Sequence, residues 1–443
     1  MSGPDAAVLE TMARLTREVA EELAASRLER EREGAPDLTP EAREALTVNL
    51  AVRALRREVQ SRLSAGHAQL RPDEEKDVIG AIVDALSGAY GFSRWLADDR
   101  VEEIVVNRHD NVWIYYSDGT RLQAEPIATS PQALMEQLRD FGRKGRTERR
   151  FDSGSPRLNL QLPDGSRLFA IAEVTGDSPA VTIRRSRYEA ISMKQLERLG
   201  TIDAVMRAFF VAAARARLRV VVSGETGAGK TTFIRAWLTI PALDERIIVI
   251  EDTADLNLNA LRGRDANHVE MEVREANIEG EGAITQRDLV RDALRQRPDW
   301  LVVSETRGPE AIDMLNAMAH GQASISSIHA QSARSVPIKL GLYATMAPEQ
   351  FGSEQTGPLI AQAVDLIVHM ALDRRTSRRF VAEVAEVDRW EDGQVALNRV
   401  FEPGSDGRGR PRAGGASERL LARLSEYGFD HTLMLNPEGA WLS

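Results

Sequence analysis

The stretch Arg219-Val-Val-Val-Ser-Gly224-Glu-Thr-Gly227-Ala-Gly229-Lys230-Thr231-Thr232 decides how this 443-residue chain folds. Its β-branched run reads as a buried strand, and Phe233-Ile-Arg-Ala-Trp-Leu238 continues as a helix. Between them lies G-x-x-x-x-G-K-[ST], in the strand–loop–helix context that gives the motif its meaning. Glycines let successive backbone N–H groups turn inward around phosphate, and the helix N-terminus adds positive potential. The cradle is therefore Gly224, Glu225, Thr226, Gly227, Ala228, Gly229, Lys230, Thr231 and Thr232. Lys230 is placed to bridge the β- and γ-phosphates and Thr231 to ligate Mg²⁺. The expected cofactors are ATP and Mg²⁺, and the expected activity is ATP hydrolysis.

Working outward, Arg246-Ile-Ile-Val-Ile-Glu251-Asp252 reads as a second buried strand ending in acids, and Pro298-Asp-Trp-Leu-Val-Val-Ser-Glu305 as a third. Apolar strands alternating with helices imply an α/β domain whose mainly parallel sheet is covered on both faces. Ligands of such sheets bind at the carboxyl ends of the strands. Glu305 is accordingly the first candidate for holding Mg²⁺ or orienting the attacking water, and Glu251 the second. Ser324-Ile-Ser-Ser-Ile-His329 is a fourth short strand, and His329 at its end suits a γ-phosphate sensor. His268, His369 and His431 read as structural, and no histidine spacing resembles a zinc site.

The composition narrows the function classes. Charged residues are 28% of the chain, the net charge is −10 and the pI is near 5.5, a poor default for gripping a phosphate backbone. Five of the 57 basic residues are lysine, which makes the placement of Lys230 more informative. There is no cysteine, no run long enough to span a bilayer and no apolar signal core near Met1, so the expected location is cytoplasmic.

Five segments are expected. Residues 1–76 form a helical extension, with Val8, Met12, Leu15, Val19 and Leu23, then Leu46, Leu50, Leu55, Val59 and Leu63, at helical spacing. A break at Gly34–Pro36 and a start at Thr39-Pro40 separate its helices, and Arg71-Pro72 ends it. The charges of Arg27–Glu33 read as a solvated helix face. Residues 77–185 read as an α+β domain: a helix carrying Ile79, Ile82, Val83 and Leu86, then β-rich runs punctuated by Ser117-Asp-Gly and Pro163-Asp-Gly. Residues 186–197 are a linker and 198–403 the nucleotide-binding domain. The Gly-, Arg- and Pro-rich start of 404–443 predicts a loose loop before a short helix at Ser417–Leu424.

Taken together these motifs resemble the type II/type IV secretion-system ATPase superfamily, which orders a Walker A loop, an acidic box (here Arg246–Leu256), a Walker B segment (Leu294–Gly308) and a histidine box (Ala319–Ser332). The wording is similar to the tight-adherence (Flp) pilus ATPase branch, the CpaF type, at Asn277–Thr285, Ala293–Asp299, Arg307–Ala311, Leu162–Arg167 and Thr182–Arg185. The chain departs from that pattern at His320-Gly-Gln-Ala, Ser304, Trp300 and Asp255. The resemblance implies a RecA-like core and a homohexameric ring, with an inner-membrane pilus or secretion platform as partner. It also implies peripheral association with the cytoplasmic membrane and nucleotide bound between the two domains. Arg167, Arg184 and Arg185 would approach the phosphates from the N-terminal domain, and Arg307 would help neutralise transition-state charge. The leading reading is a secretion or pilus-assembly motor that uses no nucleic acid. The alternatives are a ring-shaped nucleic-acid translocase and a nucleotide-binding regulator that has lost hydrolysis.

Overall fold

Val101, Ile104 and Val106 are buried on strand β1 (Val101–Arg108) while their neighbours are not, the alternation of a sheet covered on one face. With β2 (Asn111–Tyr116), β3 (Arg121–Ala124), β4 (Arg157–Gln161), β5 (Arg167–Ile171) and β6 (Ala180–Arg184) it makes an antiparallel sheet ordered β3-β2-β1-β6-β5-β4. Leu134, Leu138 and Phe141, at helical spacing on Pro131–Lys144, close the core of that face. The computed structural model describes residues 14–23, 25–26, 30, 40–64, 75, 78–79, 82, 90–128, 130–144, 149–162, 164–185, 191–274, 276, 281–436 and 438–441. The chain divides into two compact units, Met1–Arg185 and Ser186–Ser443.

In the first unit the helical extension has a small core of its own. Leu15 and Val19 pack with Leu50, Ala51, Ala54 and Leu55 of the helix Pro40–Ser64, and with Val78 and Ile82. Arg57 reaches Glu18 and Glu22 at 2.8 and 2.7 Å across the same pair of helical segments. Among the described residues of the predicted stripe, Leu15, Val19, Leu50 and Leu55 are buried in this core, while Leu63 is exposed. The expectations placed on Val8, Met12, Arg27–Glu29, Glu31–Glu33, Gly34–Pro36, Thr39, Arg71-Pro72, Val83, Leu86, Pro163, 186–190 and 277–280 lie outside the described residues.

The second unit is built on β7 (Val220–Gly224), β8 (Ile247–Glu251), β9 (His268–Glu272), β10 (Trp300–Val303), β11 (Ala323–Ile328), β12 (Leu366–Asp373), β13 (Arg378–Glu391), β14 (Gln394–Pro403) and β15 (Gly409–Pro411). Their order is β15-β14-β13-β12-β7-β11-β10-β8-β9. Strands β12 through β9 in that order run parallel, and β13 to β15 extend the edge antiparallel. Both faces are buried. Val220, Val222, Ile247 and Val249 point to one core, which includes the helices Ala204–Arg215 and Lys230–Trp237. Val221, Ile248 and Ile250 point to the other, beneath Gln286–Leu294, Glu310–Ala319 and Ser335–Thr345. This is the α/β core expected from the alternation of apolar strands and helices.

Within the segment expected to be a loose loop a short strand forms, and the short helix expected after it is present and packs on that core. Gly409–Pro411 pairs with β14, Ser417 caps the helix Glu418–Glu426, and Leu420, Leu424, Phe429 and Met434 are buried. Phe429 meets Phe209 edge to face at 5.5 Å, and the Ala440 amide donates to the buried Asp203 carboxylate at 2.7 Å. A three-residue strand is too short for its pattern to show through Gly and Arg, so composition misled the reading. No described helix is long and apolar enough to cross a membrane.

Candidate functional site

The loop after β7 turns where its glycines allow it. Gly224 lies so close to β12 that a Cβ there would sit 2.5 Å from the Met370 carbonyl oxygen. Gly229 takes φ +92° as the residue capping the helix Lys230–Trp237, a left-handed conformation costly for any side chain. The result is a helix N-terminus directed into the loop, with Glu225, Thr226 and Gly227 exposed at its crest and Ala228 packed beneath. Thr231 and Thr232 are half-buried in the first turn.

Lys230 is buried, and its ammonium donates to the carbonyls of Gly224 at 3.1 Å and Glu225 at 3.0 Å. It also lies 3.2 Å from His329 Nδ1. His329 Nε2 in turn lies 2.9 Å from Glu305 Oε1. Strand order explains the meeting: β7, β11 and β10 are adjacent and parallel, so Lys230, His329 and Glu305 emerge from the same sheet edge. Burial and then the Lys230 charge depress the His329 pKa, so the imidazole is neutral at pH 7. An ammonium can only donate, which leaves Nδ1 as acceptor and places the single ring proton on Nε2, donated to Glu305. The Glu305 main chain is held by Gln286 Nε2 at 2.9 Å, and Thr306 hydrogen bonds Ser326 at 2.8 Å.

Glu251 ends β8, on the far side of β10 from His329. Its carboxylate accepts from the Asp255 and Leu256 amides at 3.1 Å each, so it ties down its own turn. Burial, with the Asp255 charge adding, pushes its pKa up to about 8. The native protein therefore keeps a proton on Glu251 that the unfolded chain has released by neutral pH. The stabilisation associated with that proton is full below about pH 4.5 and is lost as pH rises through about 8. Glu251→Gln cannot ionise. Relative to wild type the variant should be more stable at pH 9 than at pH 6 by about 2–3 kcal/mol, read from urea midpoints at the two pH values. A pH-independent difference would contradict a protonated Glu251.

The remaining candidates separate into groups. Arg307, at the turn after Glu305, pairs with Asp252 at the end of β8. In the first unit Arg167 and Arg184 face each other across β5 and β6, and Glu103 takes the next position across β1. Arg184 reaches Glu103 at 3.2 Å yet keeps an exposed side chain. Arg185 is largely buried, donating to the Asp98 carbonyl at 2.5 Å. His320 hydrogen bonds its own helix at the Asn316 carbonyl, 2.6 Å, and ends the helix Glu310–Ala319. His369, read as structural, is half-buried but lies 3.0 Å from Ser223, immediately before the loop. For Mg²⁺, Thr231 and Glu305 offer one oxygen-bearing side chain each. That suits an ion which takes one or two protein ligands and completes its shell with phosphate and water. Among the described residues no three acidic or histidine side chains converge into a self-contained metal cage.

Sequence reading missed the β12–β13 hairpin. Arg374 pairs with Glu225 at 2.8 Å and Arg379 Nε donates to the Gly227 carbonyl at 2.7 Å. The only local signal is two Arg-Arg pairs, 374–375 and 378–379, flanking a polar turn.

Residues 96–405 match the family model described as "Type II/IV secretion system protein". The chain is 32% identical over 324 residues to a Mycobacterium tuberculosis (strain H37Rv) protein described as "Putative conjugal transfer protein", covering 71% of this chain and 89% of that one. It is 30% identical to Protein VirB11 of Agrobacterium fabrum, covering 53% and 74%. Among solved structures it is similar to the VirB11 ATPase from the Brucella suis type IV secretion system in complex with sulphate. That match has 25% identity and a TM-score of 0.37, covering 69% of this chain and 96% of that one.

Proposed function

The chain belongs to the type II/IV secretion system protein family, and from that premise we propose that it is an ATP-hydrolysing motor working on a membrane-embedded secretion or pilus platform. The observation that carries the reading is the Lys230–His329–Glu305 chain at the mouth of the loop. The loop amides and helix N-terminus bind the phosphates, and the Lys230 ammonium leaves the two loop carbonyls for the γ-phosphate. Glu305 accepts the proton of the attacking water. His329, bridging Lys230 and Glu305, registers whether the γ-phosphate is present. Mg²⁺ bound with the nucleotide would screen phosphate charge, with Thr231 and Glu305 as its protein side. Glu251, protonated and turned to its own backbone, serves the acidic box structurally.

The finer reading is a homohexameric tight-adherence (Flp) pilus motor of the CpaF type, cytoplasmic and docked on an inner-membrane platform. The similarity of motif wording supports it. Arg167 and Arg184 are the better candidates for a phosphate contact from the first unit. Arg184 keeps an exposed side chain beside Glu103, whereas Arg185 is largely buried against the Asp98 carbonyl. Domain limits at 76, 185, 197 and 403 belong to the same proposal.

The test is turnover. Purified protein should hydrolyse ATP slowly and only with Mg²⁺, and hydrolysis should rise with platform protein or acidic lipid but not with single-stranded DNA. About ten-fold stimulation by DNA, lost steeply with salt as backbone binding requires, would establish the translocase instead. Tight ATP binding without hydrolysis under every condition would establish the regulator.

A further inference from the structure

We infer that Arg379 is a positioning residue for the phosphate loop, holding it in its anion-ready form before nucleotide arrives. The inference rests on the loop being the nucleotide site proposed above. A cradle of this kind works when its amides point inward, which requires its carbonyls to point outward. The crest Glu225–Gly227 is exposed, and the peptide after Gly227 is held on its N–H side by a 3.2 Å bond from the Ala228 amide to the Glu225 carbonyl. Rotation of the peptide after Gly227 would bring a carbonyl oxygen toward the phosphates.

The hairpin blocks that rotation from outside. Strand β12 lies parallel to β7, so its end runs beside the loop, and β13 returns along it with Leu372 and Arg379 as cross-strand partners. Both of these pack on the loop. A Cβ at Gly227 would meet Leu372 at 3.9 Å, and one at Gly229 would meet the Arg379 Cδ at 3.6 Å. From there the guanidinium Nε donates to the outward Gly227 carbonyl at 2.7 Å, a charge-assisted bond. The turn is itself held. Asp373 accepts from the Arg375 amide at 2.9 Å and the Thr376 hydroxyl at 2.6 Å, which presets the return of β13. Arg374 adds an ion pair to Glu225, but both groups are largely exposed and the pair is a minor restraint. The restraint costs nothing at the moment of binding because it is built into the sheet.

Arg379 touches the outer side of the loop and acts through it. The effect therefore belongs in affinity: if Arg379→Gln leaves about a tenth of the loops in the competent form, apparent Kd rises about ten-fold. The experiment measures binding of a fluorescent ATP analogue, KM and kcat for ATP, and amide hydrogen exchange of residues 225–229 in nucleotide-free full-length protein. Arg379→Gln should raise Kd and KM about ten-fold, keep kcat within about three-fold and speed exchange of the loop. Arg379→Lys retains a cationic donor and should restore most of the affinity, while Arg374→Ala should change it less than about two-fold. Unchanged Kd and loop exchange in Arg379→Gln, with wild type binding normally, would overturn the inference alone. A collapse of kcat at unchanged Kd would also overturn it, by making Arg379 a contact of the transferred phosphoryl group. Failure of wild type to bind nucleotide would remove the proposed function and this inference together.

Discussion

Lys230→Ala is expected to lower ATP turnover by about 10²–10³-fold or more while the protein stays folded. The magnitude is that of removing one preorganised donor from a developing oxyanion. Lys230 is the cation at the junction of the loop carbonyls and His329, and no other lysine lies in the phosphate-loop motif. Folding should survive because the two carbonyls it leaves belong to a loop whose crest is open to water. The His329 pKa should rise toward its ordinary value once the neighbouring ammonium is gone, since that charge is one of the causes depressing it. Steady-state hydrolysis and circular dichroism check the pair of claims. A folded variant turning over near the wild-type rate would refute the assignment of the loop as the active site.

Glu305→Gln should reduce kcat by about 10²–10⁴-fold, the range for losing a general base, with ATP affinity within a few-fold of wild type. The substitution is informative because of the imidazole proton. His329 donates from Nε2 to Glu305 Oε1, and a glutamine carbonyl can accept the same bond, so geometry is retained while proton acceptance is lost. Glu251→Gln is the natural comparison. Its carboxyl already carries a proton at pH 7, so turnover there should change little. A larger loss from Glu251→Gln than from Glu305→Gln would reverse the ranking of the two acids.

The loop, the acid-ended strands and the histidine at the end of β11 were all readable because each is a local pattern. A β-branched run followed by glycines, lysine and threonine needs no distant residue to be understood, and neither does an apolar strand ending in a carboxylate. The resemblance rests on the same local wording, and the match over residues 96–405 shows its coarser part, the type II/IV secretion system protein family. The sequence placed Glu305 before Glu251, but the surroundings of the two acids were not local: β8 lies one strand farther from the loop than β10, over a turn whose amides point back at the Glu251 carboxylate.

By itself, then, the sequence determined the α/β class, the glycine-rich strand–loop–helix that carries Lys230 and Thr231, and the candidacy of Glu305 and His329. Periodicity and motif spacing act over a few residues and survive without a fold. Only the tertiary structure decided that Lys230, His329 and Glu305 form one hydrogen-bonded chain, that Glu251 is buried with its pKa pushed up to about 8, and that Arg379 reaches the Gly227 carbonyl from 152 residues away in sequence. It also decided that Gly409–Pro411, in the Gly- and Arg-rich stretch, pairs with β14 and that the helix after it packs on the core. These are consequences of strand order and burial. Strand order comes from which crossovers cover both faces of the sheet, and burial depends on everything packed around a group, so neither is written in any short stretch of the chain.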